Sequence, residues 1–415
     1  IKKRKINQEI KKKLIINNVD KRLASILAGR DIDSVNHIDY SLKNLLPPNT
    51  LHNAMESASF LFDAIESNKK IIIIGDYDAD GATATACGVL GLRKFGANVN
   101  YLVPNRFKFG YGLTPAIVEQ ALNKDPDLII TVDNGIASIE GVKLARDNNV
   151  DVIITDHHLP AEQLPNANFI INPNQQECSF ESKNLCGVGV IFYLLLSLRI
   201  IYREKGRYKK KPEPKLNDLL DLVAFGTIAD LVKLDYNNRI LVEYGMRCIR
   251  ESRCNFGIQA IAMLSKKILN QLKTSDISFS IAPKINAAGR LDDMAIGIKC
   301  LISDNFQDAE NFAKQLLSLN SQRRDIELKM HTEALDNLQL DILTLPFSVC
   351  MYDKNWHQGV IGILASRIKE KFYRPTIIFA KDENGVLKGS GRSIPTLHLR
   401  DTLDIVAKKN PNLLV

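Results

Sequence analysis

Three carboxylates recur at alternate positions in Gly75-Asp76-Tyr77-Asp78-Ala79-Asp80-Gly81, and two further acidic turns follow, Asp133-Asn134-Gly135 and Asp156-His157-His158. A fourth acidic site, Asp230, closes Phe225-Gly226-Thr227-Ile228-Ala229-Asp230, whose small residues would let the backbone approach a cleft. Taken alone, a loop carboxylate is ordinarily a helix cap or a turn residue. Several brought together in a partly dry cleft would repel one another unless a cation neutralised them. Carboxylates with imidazole and no thiolate suit hard or borderline ions such as Mn²⁺ and Mg²⁺ and argue against structural zinc. The number of acidic ligands predicts two ions. Held ~3.5–4 Å apart, two ions orient a phosphate and stabilise the attacking and leaving oxygens of phosphodiester or phosphoanhydride hydrolysis.

The first three motifs each follow a short, β-branched apolar run. Such runs lie at residues 71–74, 99–103, 128–132, 152–155 and 169–171 and alternate with helical patterns at 82–95, 115–122 and 138–148. Continuous apolar strands belong inside a parallel sheet, and the intervening helices supply its crossovers. The expectation is a doubly wound α/β domain, with its site beyond the carboxyl ends of the strands. From about residue 187 the pattern turns helical. The most apolar stretch, 188–201, is broken by Ser197 and Arg199 and is shorter than the ~20 residues of a membrane span, so it predicts a buried helix. Residues 304–340 lack Pro and Gly and predict one long connector helix. Beyond it, strands at 347–352, 376–380 and 386–388 around a helix at 360–372 predict a smaller α/β unit. The resulting division is an N-terminal extension at 1–50, a catalytic domain at 51–303, the connector, and a second lobe at 341–415.

A chain of 415 residues has room for two or three domains, and 45% apolar with 25% charged residues excludes a largely disordered protein. The net charge of +8 suits a polyanionic partner. Basic clusters lie at Lys2 to Lys5, Lys11 to Lys13, and Arg203 to Lys215, the last holding Arg207, Lys209, Lys210 and Lys211. A solvated loop is the commoner fate of such runs. Seven cysteines without a CxxC pair argue against a disulfide framework or a zinc site and predict a reducing cytoplasm. No signal peptide precedes the first strand. The chain starts at Ile1 and stops at Val415 in mid-pattern, so both ends are expected to be cut.

Asp-Tyr-Asp-Ala-Asp-Gly, Val-Asp-Asn-Gly-Ile, Thr-Asp-His-His and Gly-Thr-Ile-Ala-Asp, in this order, resemble the four motifs of the DHH phosphoesterase superfamily, which is named for Asp156-His157-His158. Further segments are similar to the superfamily's single-strand-specific DNA exonucleases: Val103 to Phe107, Lys284 to Leu291, Trp356 to Gly362 and Gly389 to Ser393. The resemblance spans nearly the whole chain from about residue 20 and makes the second lobe a DHHA1-type domain. It implies metal-dependent, processive 5′ to 3′ digestion of single-stranded DNA to mononucleotides, serving recombination, mismatch repair and base-excision repair. It further implies that Asp76, Asp78, Asp80, Asp133, His157 and Asp230 ligate two Mn²⁺ or Mg²⁺ ions. Asp133, His157 and His158 then become the catalytic residues, with His158 on the scissile phosphate. Arg106, Ser390 and Arg392 would contact the DNA backbone or a 5′-terminal phosphate, and Asn286 and Arg290 would line the DNA channel, which the second lobe narrows against duplex. Arginine suits that work because its planar fork of donors matches phosphate oxygens. Trp356 and His357 could stack or cap a helix. A monomer away from membranes is expected, fed by a helicase and a single-strand-binding protein.

Ile74 stands where many superfamily members carry a histidine, so one ion is expected to lean on Asp76. The resemblance also implies a Gly-Gly-His segment and an OB-fold beyond residue 415, which makes the second lobe C-terminally incomplete. The alternatives are a superfamily relative acting on small substrates (a pyrophosphatase, an oligoribonuclease or a cyclic-dinucleotide phosphodiesterase) and a fragment that binds DNA without cutting it. The helical insert, the connector and the basic run at 203–215 favour a polymer substrate over the small ones.

Overall fold

The computed structural model describes residues 4–107, 109–209, 212–338, 346–382 and 385–410. Helices α1 (Gln8–Ile16) and α2 (Lys21–Ala28) are capped by the side chains of Asn7 and Asp20, each accepting from two backbone N–H groups of the following turn. They close a small core of Leu14, Ala24, Leu27 and Ile32. Helix α3 (Ala54–Glu66) then leads into the large lobe.

That lobe alternates β1 (Lys70–Gly75), α4 (Ala79–Lys94), β2 (Asn98–Leu102), α5 (Pro115–Leu122), β3 (Leu128–Val132), α6 (Ile139–Asp147), β4 (Asp151–Thr155) and β5 (Phe169–Ile171). The strands pair in the order β2-β1-β3-β4-β5, all parallel. Side chains alternate across the sheet with period two. Ile71, Ile73, Leu128, Ile130 and Ile153 join one core, and Ile72, Ile74, Ile129, Val152 and Ile154 join the other, with α5 and α6. The expected doubly wound sheet is therefore present. Its strand order reverses between β1 and β3, and that switch point opens the crevice in which such sheets bind ligands.

Helix α4 begins earlier than the pattern suggested. The Asp78 carboxylate accepts the Gly81 N–H at 3.0 Å as its N-cap, so Asp80 lies in the first helical turn instead of a loop. Gly81 is required there because a Cβ would sit 2.6 Å from the Asp76 carbonyl oxygen.

The helical portion comprises α7 (Gly187–Glu204), α8 (Leu220–Ala229), α9 (Tyr236–Arg250), α10 (Phe256–Leu264), α11 (Thr274–Asp276), a π-helical turn Ile277–Ile281, α12 (Ala282–Leu291) and α13 (Ala295–Ile302). Helix α7, the expected buried helix, packs against the same sheet face as α3 and α4. The connector is α14 (Phe306–Leu338), with residues 339–340 outside the described ones. Its 33 residues span ~50 Å. Ala309, Ala313 and Leu316 of α14 belong to the large-lobe core, whereas Met330 and Ala334 belong to that of the small lobe.

The small lobe holds β6 (Val349–Tyr352), α15 (Ile361–Phe372), β7 (Thr376–Lys381), β8 (Leu387–Arg392) and α16 (Leu399–Lys409). Strand β7 is central, parallel to β6 and antiparallel to β8. Gly389-Ser390-Gly391-Arg392, beyond the strand expected at 386–388, is part of strand β8. Its composition is poor for a strand, but its backbone pairs with Phe379 to Thr376. Among the described residues no helix is long and apolar enough to cross a membrane, and the seven cysteines are free thiols.

Candidate metal centre and nucleic-acid cleft

The ends of β1, β3 and β4 deliver the three acidic motifs to the switch point, and the end of α8 delivers the fourth, with Asp230 as its C-cap. The six expected ligands fall into two groups. Asp76, Asp78 and Asp133 each present a carboxylate oxygen within 4.8 Å of the others, as do Asp80, His157 and Asp230 with their ligand atoms. His157 Nε2 lies 3.1 Å from Asp133 Oδ1, joining the groups, and 3.7 Å from Asp230 Oδ2. A third grouping of Asp133, His157 and His158 overlaps both.

Glycines permit this convergence. A Cβ on Gly187 would lie 2.5 Å from Asp133 Oδ1, and one on Gly226 would lie 2.7 Å from Asp80 Oδ1. With that clearance, the first two N–H groups of α7 donate to Asp80, Gly187 to Oδ2 at 2.7 Å and Val188 to Oδ1 at 3.0 Å. Helix N-termini favour negative charge in this position.

The electrostatics fit cations. Burial, then Asp78, pushes Asp76 up to about 8. Burial and neighbouring carboxylates hold Asp80 and Asp133 well above the ordinary carboxylate range. Burial, then Asp78, pushes Asp230 up to about 6. His157 is pushed down to about 4 by burial and by His158, so near neutrality it is an uncharged imidazole and its approach to Asp133 is not an ion pair. Buried Asp133 Oδ1 makes no hydrogen bond despite that approach. A cluster of oxygens and one imidazole whose carboxylates cannot all ionise unaided matches the ligand chemistry of Mn²⁺ or Mg²⁺.

His158 differs from its neighbour. Its Nδ1 lies 2.8 Å from Asp156 Oδ1, and that hydrogen bond raises the imidazole to about 9 against the opposing effect of burial. Burial alone would raise Asp156, but the bonds from His158 and from the Ile136 N–H outweigh it and hold the carboxyl below its usual range. Asp156 also accepts the His157 and His158 N–H groups, while Asn174 and Asn172 donate to their carbonyls. Asp156 is thus the residue that orients the two histidines, a role absent from the sequence-based assignment.

Beside this cluster opens a cleft of about 1260 Å³, lined by Asp76, Asp78 and His158 together with Arg106, Asn286, Arg290, Ser390 and Arg392. All five expected nucleic-acid contacts therefore face it. The Arg106 guanidinium lies 4.6 Å from the Tyr77 ring centroid. Arg290 donates to the Gly359 carbonyl at 3.4 Å and is pulled down to about 10 by burial and by Arg106, with Arg323 and Arg392 acting in the same sense. Guanidinium groups that repel one another around a shared cleft have the donor chemistry to receive an anion. Arg392 reaches Ser390 Oγ at 3.4 Å, and Gly362 beside them is needed because a Cβ would meet Ser390 Oγ at 2.9 Å.

Asn286 has an additional duty, since its Oδ1 accepts the Ala79 N–H at 2.8 Å and braces the first acidic motif. Tyr111 was missed by sequence reasoning. Its hydroxyl lies 3.4 Å from His158 Nε2 and its ring meets Tyr77 edge-on. Trp356 is buried in the small-lobe core and donates Nε1–H to Glu333 on the connector. His357 accepts the Gly359 N–H and packs edge-on against Phe107 of the large lobe. The basic run after residue 203 lies at the far end of α7 from Asp80, ~27 Å along the helix by its 18 residues. There Arg203 pairs with Glu213 and Arg207 with Glu66, and Lys210 and Lys211 lie outside the described residues. Arg203, in the last turn of α7, and Arg207 are thus engaged in ion pairs.

Residues 70–227 match the DHH family, N-terminal domain, and residues 344–412 match the DHHA1 domain. The chain is 45% identical over 397 residues to the single-stranded-DNA-specific exonuclease RecJ of Haemophilus influenzae, covering 95% of this chain and 69% of that protein. Against RecJ of Salmonella typhimurium it is 48% identical over 399 residues, with coverages of 95% and 69%. A crystal structure of RecJ bound to manganese superposes with a TM-score of 0.73 at 33% identity, covering 86% of each chain. RecJ of Thermus thermophilus in complex with Mn²⁺ gives 0.80 at 30% identity, over 96% of this chain and 56% of that one.

Proposed function

Because the chain belongs to the RecJ family of single-stranded-DNA-specific exonucleases, we propose that its cleft performs that reaction: metal-dependent hydrolysis of phosphodiester bonds from the 5′ end of single-stranded DNA. The single observation that carries the reading is one cleft lined both by Asp76, Asp78 and His158 of the acidic cluster and by Arg106, Arg290 and Arg392. The acidic cluster suits cations, and the arginines suit the terminal phosphate of a strand.

In this reading Asp76, Asp78 and Asp133 hold one ion and Asp80, His157 and Asp230 the other, each Mn²⁺ or Mg²⁺. Bound ions supply charge stabilisation to the phosphate oxygens. With Ile74 buried in the core beneath, the first group is all carboxylate, in keeping with a site that leans on Asp76. His158, protonated at neutral pH and braced by Asp156, donates to the scissile phosphate. Arg106, Arg290, Ser390 and Arg392 receive the 5′-phosphate, and Asn286 lines the channel while fixing the first motif. Two of these residues come from the small lobe, so a strand end must pass between the lobes, where duplex is excluded, and leaves as mononucleotides.

The same reading keeps the domain division made from sequence, with a catalytic unit at 51–303 and a DHHA1-type unit after the connector. It also keeps a monomeric, cytoplasmic enzyme in recombination and in mismatch and base-excision repair, supplied with substrate by a helicase and a single-strand-binding protein. Digestion of single-stranded and matched duplex DNA in Mn²⁺, Mg²⁺ or chelator, with an Asp133→Ala control, tests the proposal. Loss of single-strand digestion in chelator and in the variant is expected. Metal-independent cleavage, or equal digestion of duplex, would overturn it.

A further inference from the structure

Asp133 is held in the left-handed region, φ +62°, which L-residues other than Asn and Asp seldom adopt. The turn that imposes this conformation is tied from several sides. Asn134 is 1% exposed, and its Nδ2 donates to the Val132 carbonyl at 2.9 Å and the Ile74 carbonyl at 3.1 Å. Those carbonyls lie in the last two residues of β1 and of β3, the strands that flank the switch point. Thr131 Oγ1 donates to the Asn134 carbonyl at 2.7 Å, and Gly135 follows at φ +115°, where a Cβ would lie 2.5 Å from that hydroxyl. The Asp133 N–H donates to the Thr155 carbonyl at 3.0 Å, extending the lock to β4.

We infer that Asn134 is a positioning residue whose amide clamps the carboxyl ends of β1 and β3 together and so holds the Asp133 carboxylate between the two ligand groups. The inference rests on the reading of Asp133 as a metal ligand. It goes further in giving the second residue of the Asp-Asn-Gly turn its own task. A merely structural asparagine would affect stability and leave metal affinity alone. A clamp would instead affect the affinity of the centre while leaving the arginines of the cleft untouched. Backbone geometry at a strained position persists only when its surroundings over-determine it, and here two side chains supply that constraint.

The test compares the wild-type chain with Asn134→Leu, which keeps the volume and removes both donors, and Thr131→Val, which removes only the hydroxyl. Titration with Mn²⁺ followed by calorimetry and by the electron paramagnetic resonance spectrum is paired with kcat and KM on single-stranded DNA. Asn134→Leu is expected to weaken Mn²⁺ binding by about 10–100-fold and to lower kcat with KM little changed. Its Mn²⁺ spectrum should differ from that of the wild type. Thr131→Val should move the same way by less. Should Asn134→Leu not fold, Thr131→Val decides by its Mn²⁺ affinity, with a weakening supporting the inference. Wild-type affinity and spectrum in either folded variant would overturn it. Failure of the wild-type chain itself to bind Mn²⁺ would instead refute the underlying function.

Discussion

His157 Nε2 lies 3.1 Å from Asp133 Oδ1, and this approach joins two groups of three ligands delivered by β1, β3, β4 and α8. Burial and neighbouring carboxylates hold the Asp133 carboxyl well above the ordinary carboxylate range, and burial pushes His157 down to about 4, so near neutrality the imidazole is uncharged and the approach is not an ion pair. A cation between the groups would relieve the crowding of the carboxylates.

One consequence is a pH dependence of stability in the metal-free protein. Asp76 is raised to about 8, with Asp80 and Asp133 also raised, so above the ordinary carboxylate range the folded chain keeps protons that the unfolded chain has lost. Stability then falls as pH rises. His158, raised to about 9, acts in the same direction above about 6.5. His157, lowered to about 4, acts in the opposite direction only between about 4 and 6.5. In chelator the melting temperature should therefore drop from about pH 6.5 to 8. Mn²⁺ added at pH 8 should reverse the drop, as scanning calorimetry would record. A metal-free melting temperature that climbs across this window would contradict the assignment.

Asp156→Asn addresses the orientation of the histidines. Partners that orient such groups commonly contribute about 10–100-fold in activity, and a loss of that size in kcat is expected. The hydrogen bond that His158 Nδ1–H donates to Asp156 is the main reason His158 stays protonated to about 9. The alkaline limb of the rate profile should thus move to lower pH in the variant. A profile of unchanged shape would remove His158 from the chemistry.

Arg392→Ala tests the phosphate contacts. Hydrogen bonds to a charged group contribute about 1.5–3 kcal/mol, or ~10–100-fold in kcat/KM. The loss should be larger on 5′-phosphorylated strands than on 5′-hydroxyl strands, and the slope of affinity against salt should fall by about 1. Equal losses on both ends would place Arg392 on the strand interior.

Much of the site was legible because its positions rest on local signals. The apolar runs at 71–74, 128–132 and 152–155 announced strands, and the acidic turns after them marked the strand ends. Residues whose roles depend on distant partners were harder to read. Asn286 braces Ala79 across 207 residues, and nothing near Asn286 in the chain reveals it. The strand expected at 386–388 stopped short of Gly389 to Arg392 because that composition disfavours a strand, yet pairing with β7 overrides the preference. Asp156 was read as a motif letter, although its burial and its bonds to His157, His158 and Ile136 make it the brace of the whole turn. Trp356 and His357 were ambiguous from sequence because one belongs to a core and the other to a contact between lobes.

The central claim is that this cleft accepts the 5′ end of a single strand. It is tested most directly by the order in which label is released from single-stranded DNA carrying one 5′ or one 3′ label in Mn²⁺. The 5′ label is expected as mononucleotide at the earliest times, while 3′ label remains in progressively shortened strands. Early release of the 3′ label as mononucleotide, with the 5′ label retained, would contradict it.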